Sequence, residues 1–164
     1  MRAFNGLKVG VSGHQKRRGI SWSWVSYNLK AELSKLCTIQ EAFTSLAEGS
    51  DQVFAKAALE LGIPVTAVIP LSDYERFFRG RGLIQYHHLL KLCNKINLSA
   101  TPDAEKAFFD AGKYIVDGIH ILFAVWDYKE AVGLGGTADI VAYAKGINRT
   151  IIHLDPIKRT ISRI

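Results

Sequence analysis

Residues 119–154 read IHILFAVWDYKEAVGLGGTADIVAYAKGINRTIIHL, and this stretch decides the fold class. Ile119–Trp126 is nearly all apolar, which is the pattern of a strand buried on both faces. Gly135-Gly136-Thr137 then opens a helix that ends at Gly146, and Thr150–Leu154 is a second buried strand. Strand, glycine-rich loop, helix and strand make one unit of a parallel sheet.

The same alternation extends toward the N-terminus. Leu7–Ser12 is a short β-branched strand ended by Gly13, and Trp22–Leu36 has helical apolar spacing. Ala42–Ala47 is a strand, and Ser50-Asp51 is expected to cap a helix that Gly62 stops after Leu61. Pro64–Pro70 is a strand. Residues 72–94 are helical but broken at Arg79-Gly80-Arg81-Gly82, the segment expected to be most mobile. Ile96–Ser99 is a weak strand, and Thr101-Pro102 opens a helix to about Asp117. The expected fold is α/β: a single doubly wound Rossmann-like domain over 1–164, with a mostly parallel sheet of about six strands and helices on both faces.

Composition narrows the function. The 164 residues carry 21 Lys+Arg against 15 Asp+Glu, a formal charge of +6, with 48% apolar residues. That length supports one good core. No apolar run approaches a membrane span, and the first residues have no apolar leader pattern, so a cytoplasmic protein is expected. Two cysteines make no disulfide framework, and Cys37 and Cys93 are expected to be reduced core thiols. With them far apart and His87-His88 adjacent on a helix, no metal site is expected, nor any cofactor.

The charge is unevenly placed. Residues 1–20 hold five basic residues and no acid, residues 156–164 hold three and no acid, and the middle holds 13 basic against 15 acidic. The tightest cluster is His14-Gln15-Lys16-Arg17-Arg18. A diffusely basic chain suggests nucleic acid, whereas a basic cluster in one loop suggests a local anion site.

Ligands of such a fold bind outside the carboxyl ends of the strands. Three loops there carry chemistry. In the first, Ser12, Gly13 and His14 can donate to an oxyanion, with Lys16 and Arg17 beside them; it matches neither the dinucleotide fingerprint nor a P-loop. In the second, Glu48, Gly49 and Asp51 surround a helix start. In the third, Trp126 and Asp127 end a strand, and Gly135, Gly136 and Thr137 lead into a helix N-terminus as a phosphate cradle. Asp139 follows in the first turn, where an acid complements the helix dipole.

VGVSGHQ, TSLAEGSDQVFAKAALELGIPVTAVIPL and HILFAVWDYKEAVGLGGTADIVAYAKGINRTIIHLD together resemble the SLOG superfamily, the Rossmann-like domains related to the DNA-processing protein Smf and to the Lonely Guy proteins. The resemblance implies a nucleotide or nucleotide-derived ligand, in some members a signal in bacterial defence. It implies Ser12, Gly13 and His14 facing phosphate or ribose, Glu48, Gly49 and Asp51 on the ribose side, and Gly135, Gly136 and Thr137 on phosphate. The Lonely Guy hydrolases carry P-G-G-x-G-T-x-x-E. Here the position of that Glu is Ile140, and the acid Asp139 comes one residue earlier, a rotation of about 100° on a helix.

The expected function is therefore binding of a nucleotide-type ligand, with the base near Trp126 or Tyr128. The alternative is an N-glycosidic-bond hydrolase, or a transferase of nucleoside deoxyribosyltransferase type, using Glu48, Asp127 or Asp139 as the catalytic carboxylate. Nucleic acid is disfavoured by the neutral middle, no membrane partner is expected, and pairing into a homo-oligomer is expected through Trp22, Trp24, Phe77 and Phe78.

Overall fold

A computed structural model describes residues 6–98, 103–130 and 134–164. Seven strands form one sheet in the order β4-β3-β2-β1-β5-β6-β7. They are β1 (Leu7–Gly13), β2 (Ile39–Thr44), β3 (Val65–Ile69), β4 (Asn94–Asn97), β5 (Ile121–Val125), β6 (Thr150–Asp155) and β7 (Thr160–Arg163). All neighbours pair in parallel except β6 and β7. The helices are α1 (Trp22–Lys35), α2 (Ser50–Glu60), α3 (Gly80–Leu90), α4 (Ala104–Gly118) and α5 (Thr137–Gly146), with a 3₁₀ turn at Tyr74–Phe77.

The two faces of the sheet carry separate cores. Val9, Val11, Phe123 and Val125 pack with α1, α2 and α3, while Leu122 and Ala124 pack with α4 and α5. Successive strand residues point to opposite faces, so a strand covered on both sides must be apolar throughout, as β5 is. Gly10 has no side chain because a Cβ there would lie 2.6 Å from Ile115 of α4.

The expected six strands become seven. β7 reads TISR and is wholly exposed, so no apolar run marks it. Its turn is built by Asp155, whose Oδ1 accepts from the Ile157 N–H at 3.0 Å and the Lys158 N–H at 2.9 Å. Residues 79–82 are not a loose connection. Arg79 is the N-cap of α3, and Gly80–Gly82 form its first turn. Asp103 caps α4, accepting from Glu105 and Lys106 N–H; the expected opening at Thr101-Pro102 lies outside the described residues. Ser50 and Asp51 are not caps either, since Gly49 is the N-cap of α2. Cys37 is exposed and Cys93 half-buried, so neither is the core thiol the composition suggested. Trp22 and Trp24 pack on the α1–α3 core and are half-buried.

Candidate functional site

Strand order reverses between β1 and β5: β2, β3 and β4 extend to one side, β5, β6 and β7 to the other. At the carboxyl ends, where the two sets of loops part, lies a cavity of about 540 Å³. That is a usual size for a small-molecule site.

The loop after β1 forms one wall. The His14 N–H donates to Val125 O at 3.0 Å, which ties the loop to β5. The His14 carbonyl accepts from Ser50 N–H at 3.1 Å and from Ser50 Oγ at 2.7 Å, which ties it to α2. Gly49 lies directly beneath. Its φ is +85°, and a Cβ there would sit 2.4 Å from Gln15 O and 2.7 Å from His14 O. A Cβ on Gly13 would meet Ser50 at 2.5 Å. Both glycines allow close packing of loop on helix; for Gly13 the sequence suggested backbone access to an anion.

Asp127 holds the same loop from the β5 side. His14 Nε2 lies 2.9 Å from its Oδ1, and Arg17 Nη2 lies 2.5 Å from its Oδ2. The Lys129 N–H donates to Oδ1 at 3.2 Å. Burial pushes this carboxyl up, but the Lys129 N–H, His14 and Arg17 outweigh it and hold it below the usual carboxylate value. Asp127→Asn leaves Arg17 facing a neutral amide. We expect a loss of about 1–3 kcal/mol in urea unfolding and faster proteolysis within residues 14–19.

Glu48 is similarly engaged. Its Oε1 accepts from the Arg79 N–H at 3.3 Å, and Lys16 Nζ lies 3.6 Å from its Oε2. A Cβ on Gly82 would fall 2.1 Å from the Glu48 carboxyl carbon, so Gly82 leaves room for it against α3. Two of the three cations of the basic loop, Lys16 and Arg17, thus each face an acid of the protein.

Asp51 is buried below them. Its Oδ2 accepts from the Ala47 N–H at 3.3 Å. Loss of hydration raises its pKa to about 7, against the lowering by the Ala47 and Ser45 N–H groups and Thr44. A carboxyl that titrates near neutrality in a cavity wall is suited to proton transfer.

The glycine-rich loop enters α5 on the opposite side. Gly135 has φ +88°, and a Cβ would lie 2.7 Å from Phe109 N, so the loop rests on the first turns of α4. Two carboxylates hold it: Glu105 accepts from the Leu134 N–H at 3.3 Å, and Asp139 from the Gly135 N–H at 3.1 Å. Gly136 is the N-cap and Thr137 the first helical residue. Among the described residues, the N–H groups of Gly136, Thr137 and Ala138 have no acceptor, and all three residues line the cavity. Gly133 lies outside the described residues.

Trp126 is committed on several sides. Its indole N–H donates to Lys129 O at 2.8 Å, and its ring lies 4.9 Å from Tyr128 and 5.8 Å from His153. His153 Nε2 lies 2.5 Å from Trp126 O, which gives this buried histidine a structural place. His120 is structural too, its Nδ1 accepting from the Lys8 N–H at 2.9 Å.

Of the expected site residues, Ser12, Gly13, His14, Lys16, Arg17, Glu48, Asp51, Trp126, Gly135, Gly136 and Thr137 line the cavity together. Gly49, Asp127 and Asp139 stand behind the wall and hold it in shape. The sequence reading missed an apolar wall made by Tyr74 and Phe77 of the 3₁₀ turn, Phe78 just after it and Phe108 of α4. Its signal is YERFF, which begins at Tyr74, shortly after β3 ends at Ile69. No group of three His, Cys, Asp or Glu residues among the described residues can hold a metal. No described helix is long and apolar enough to cross a membrane.

Several solved structures share this architecture. DNA processing protein A (DprA) from Streptococcus pneumoniae superimposes with a TM-score of 0.65 at 16% identity, over 92% of this chain and 50% of that one. The chain folds as half of DNA processing protein A does. A structural-genomics target, TM1055, matches with a TM-score of 0.60 at 15% identity, over 90% of this chain and 74% of that one. The Moco carrier protein from Chlamydomonas reinhardtii matches with a TM-score of 0.51 at 18% identity, over 90% and 75%. No protein-family model and no curated protein matches the chain. The resemblance drawn from the three loops pointed to DNA-processing relatives, and the fold agrees with it.

Proposed function

We propose that this protein binds a nucleotide or nucleotide-derived ligand in the cavity at the strand reversal. The phosphate would rest on the N–H groups of Gly136, Thr137 and Ala138, where the dipole of α5 favours an anion. The observation that carries this reading is the placement of those N–H groups. They open, without internal acceptors among the described residues, into a cavity of about 540 Å³ that also has an apolar wall. A carrier of Moco shares the fold, which supports small-molecule binding at such a site.

Thermal shift against nucleoside monophosphates, ADP-ribose and cyclic dinucleotides tests it. A ligand at one hundred times its Kd is expected to stabilise the fold by about 2.7 kcal/mol. No shift with any of them at millimolar concentration would count against the reading. Thr137→Pro is the matching variant. Proline is favoured at the first helical position, and Gly136 has φ −68° and ψ 170°, which suits a residue before proline. The fold is expected to survive while the cradle loses one donor, weakening a phosphorylated ligand about ten-fold.

One observation favours a second reading, hydrolysis or transfer at an N-glycosidic bond. Asp51 is the cavity carboxyl held near neutrality, whereas Glu48 is engaged by Arg79 and Lys16, and Asp139 by Gly135. Release of free base from a monophosphate, lost in Asp51→Asn, would establish it.

A further inference from the structure

The cavity has a half that the phosphate cradle does not use. Tyr74, Phe77, Phe78 and Phe108 face it from one side. Tyr74 and Phe78 are buried, and Phe78 stacks on Tyr86 with centroids 4.4 Å apart. Phe77 differs: it is 43% exposed. The Arg76 guanidinium lies over its ring at 4.7 Å, and Phe108 meets it in T-shaped contact at 4.9 Å. A large aromatic side chain left partly in water on a cavity wall is a surface suited to cover by a ligand.

This wall joins the anion end through α4. Phe108 and Phe109 begin where Gly135 rests, with Phe109 N 2.7 Å and the Phe108 carbonyl carbon 3.2 Å from where a Gly135 Cβ would be. One molecule can therefore touch both. The Trp126–Tyr128 pair is placed less well for this: Tyr128 does not line the cavity, and the indole N–H of Trp126 is held by Lys129 O. The aromatic wall also has polar neighbours. Asp51 and Ser45 line the same cavity. A flat ring with hydrogen-bonding edges fits such surroundings better than a plain hydrocarbon.

We propose that the Tyr74–Phe77–Phe78–Phe108 wall is the subsite for the ligand's heteroaromatic base, with Phe77 as its stacking face. This rests on the nucleotide reading above and names which wall takes which end.

Isothermal titration with AMP, GMP, CMP, UMP and ribose 5-phosphate separates the two claims. Stacking of a base on an aromatic ring raises affinity by about ten-fold or more. At least one monophosphate is expected to bind ten-fold more tightly than ribose 5-phosphate. Phe77→Ala is expected to abolish that advantage while leaving ribose 5-phosphate binding unchanged. Phe77→Tyr keeps a ring and is expected to retain the advantage, which guards against a general folding effect. Equal affinities for all five compounds, or an advantage that survives Phe77→Ala, would overturn the base subsite and leave the phosphate site standing. Binding of none of the five would overturn the base subsite, and if ADP-ribose and cyclic dinucleotides do not bind either, the phosphate site falls with it.

Discussion

Gly49→Ala is expected to lower the unfolding free energy by about 2–4 kcal/mol. Two penalties coincide at this residue. Its φ of +85° with ψ of −123° is a conformation that side chains rarely adopt. A methyl group would also approach two backbone oxygens, Gln15 O at 2.4 Å and His14 O at 2.7 Å. Neither oxygen sits on a flexible side chain, so the basic loop as a whole must lift. Lifting it breaks both bonds from Ser50 to the His14 carbonyl. Gly62→Ala is the control. Gly62 has φ +75° with nothing within 4 Å of an added Cβ, so strain alone acts and about 1 kcal/mol is expected. Equal urea midpoints for the two variants would show that the contact with the loop carries no weight.

The second large effect concerns pH. Asp51 has a pKa of about 7 in the folded protein, against an ordinary value of 3.8. Between those values the folded state binds more protons than the unfolded one, so stability falls as pH rises through the window. The gap between the two values corresponds to roughly 4 kcal/mol. Asp51→Asn removes the titration and keeps an oxygen for the Ala47 N–H. The stability of the variant relative to the native protein is therefore expected to rise by up to about 4 kcal/mol between pH 4 and pH 8. Asp127 acts in the opposite sense: its lowered pKa contributes stability above the ordinary carboxylate range, which is lost on acidification. Comparing Asp51→Asn with the native protein at each pH cancels that background. A constant difference across the range would mean that Asp51 is ionised in the fold at neutrality, as on the surface.

The parts of the fold that were legible are those where burial dictates residue type. β5 lies between two helical layers, so its apolar run is forced. α5 starts where glycines end, because its loop rests on α4. β7 was illegible because an exposed edge strand imposes no apolar pattern, and TISR reads as tail. The site was legible as loops but not as roles. Ser50 and Asp51 look like caps in sequence, since only the neighbouring loop reveals that Ser50 Oγ turns to His14 O. Asp127 looks like a ligand group until Arg17 is found on it. The aromatic wall was illegible because YERFF falls in the stretch 72–94 that reads as helical, and Phe77 and Phe78 read there as oligomer contacts, although the position after β3 is a usable signal.

The reversal of strand order also shapes the chain as a mechanical object. One set of cavity walls comes from residues before 98, and the other, with α4, β5 and α5, from residues after 103. β1 is the seam, bonded to β2 on one edge and β5 on the other. A molecule seated between Phe77 and Thr137 would span that seam and clasp the two halves together. Local opening of either half would then have to release it, so occupancy couples the fluctuations of segments that are far apart along the chain.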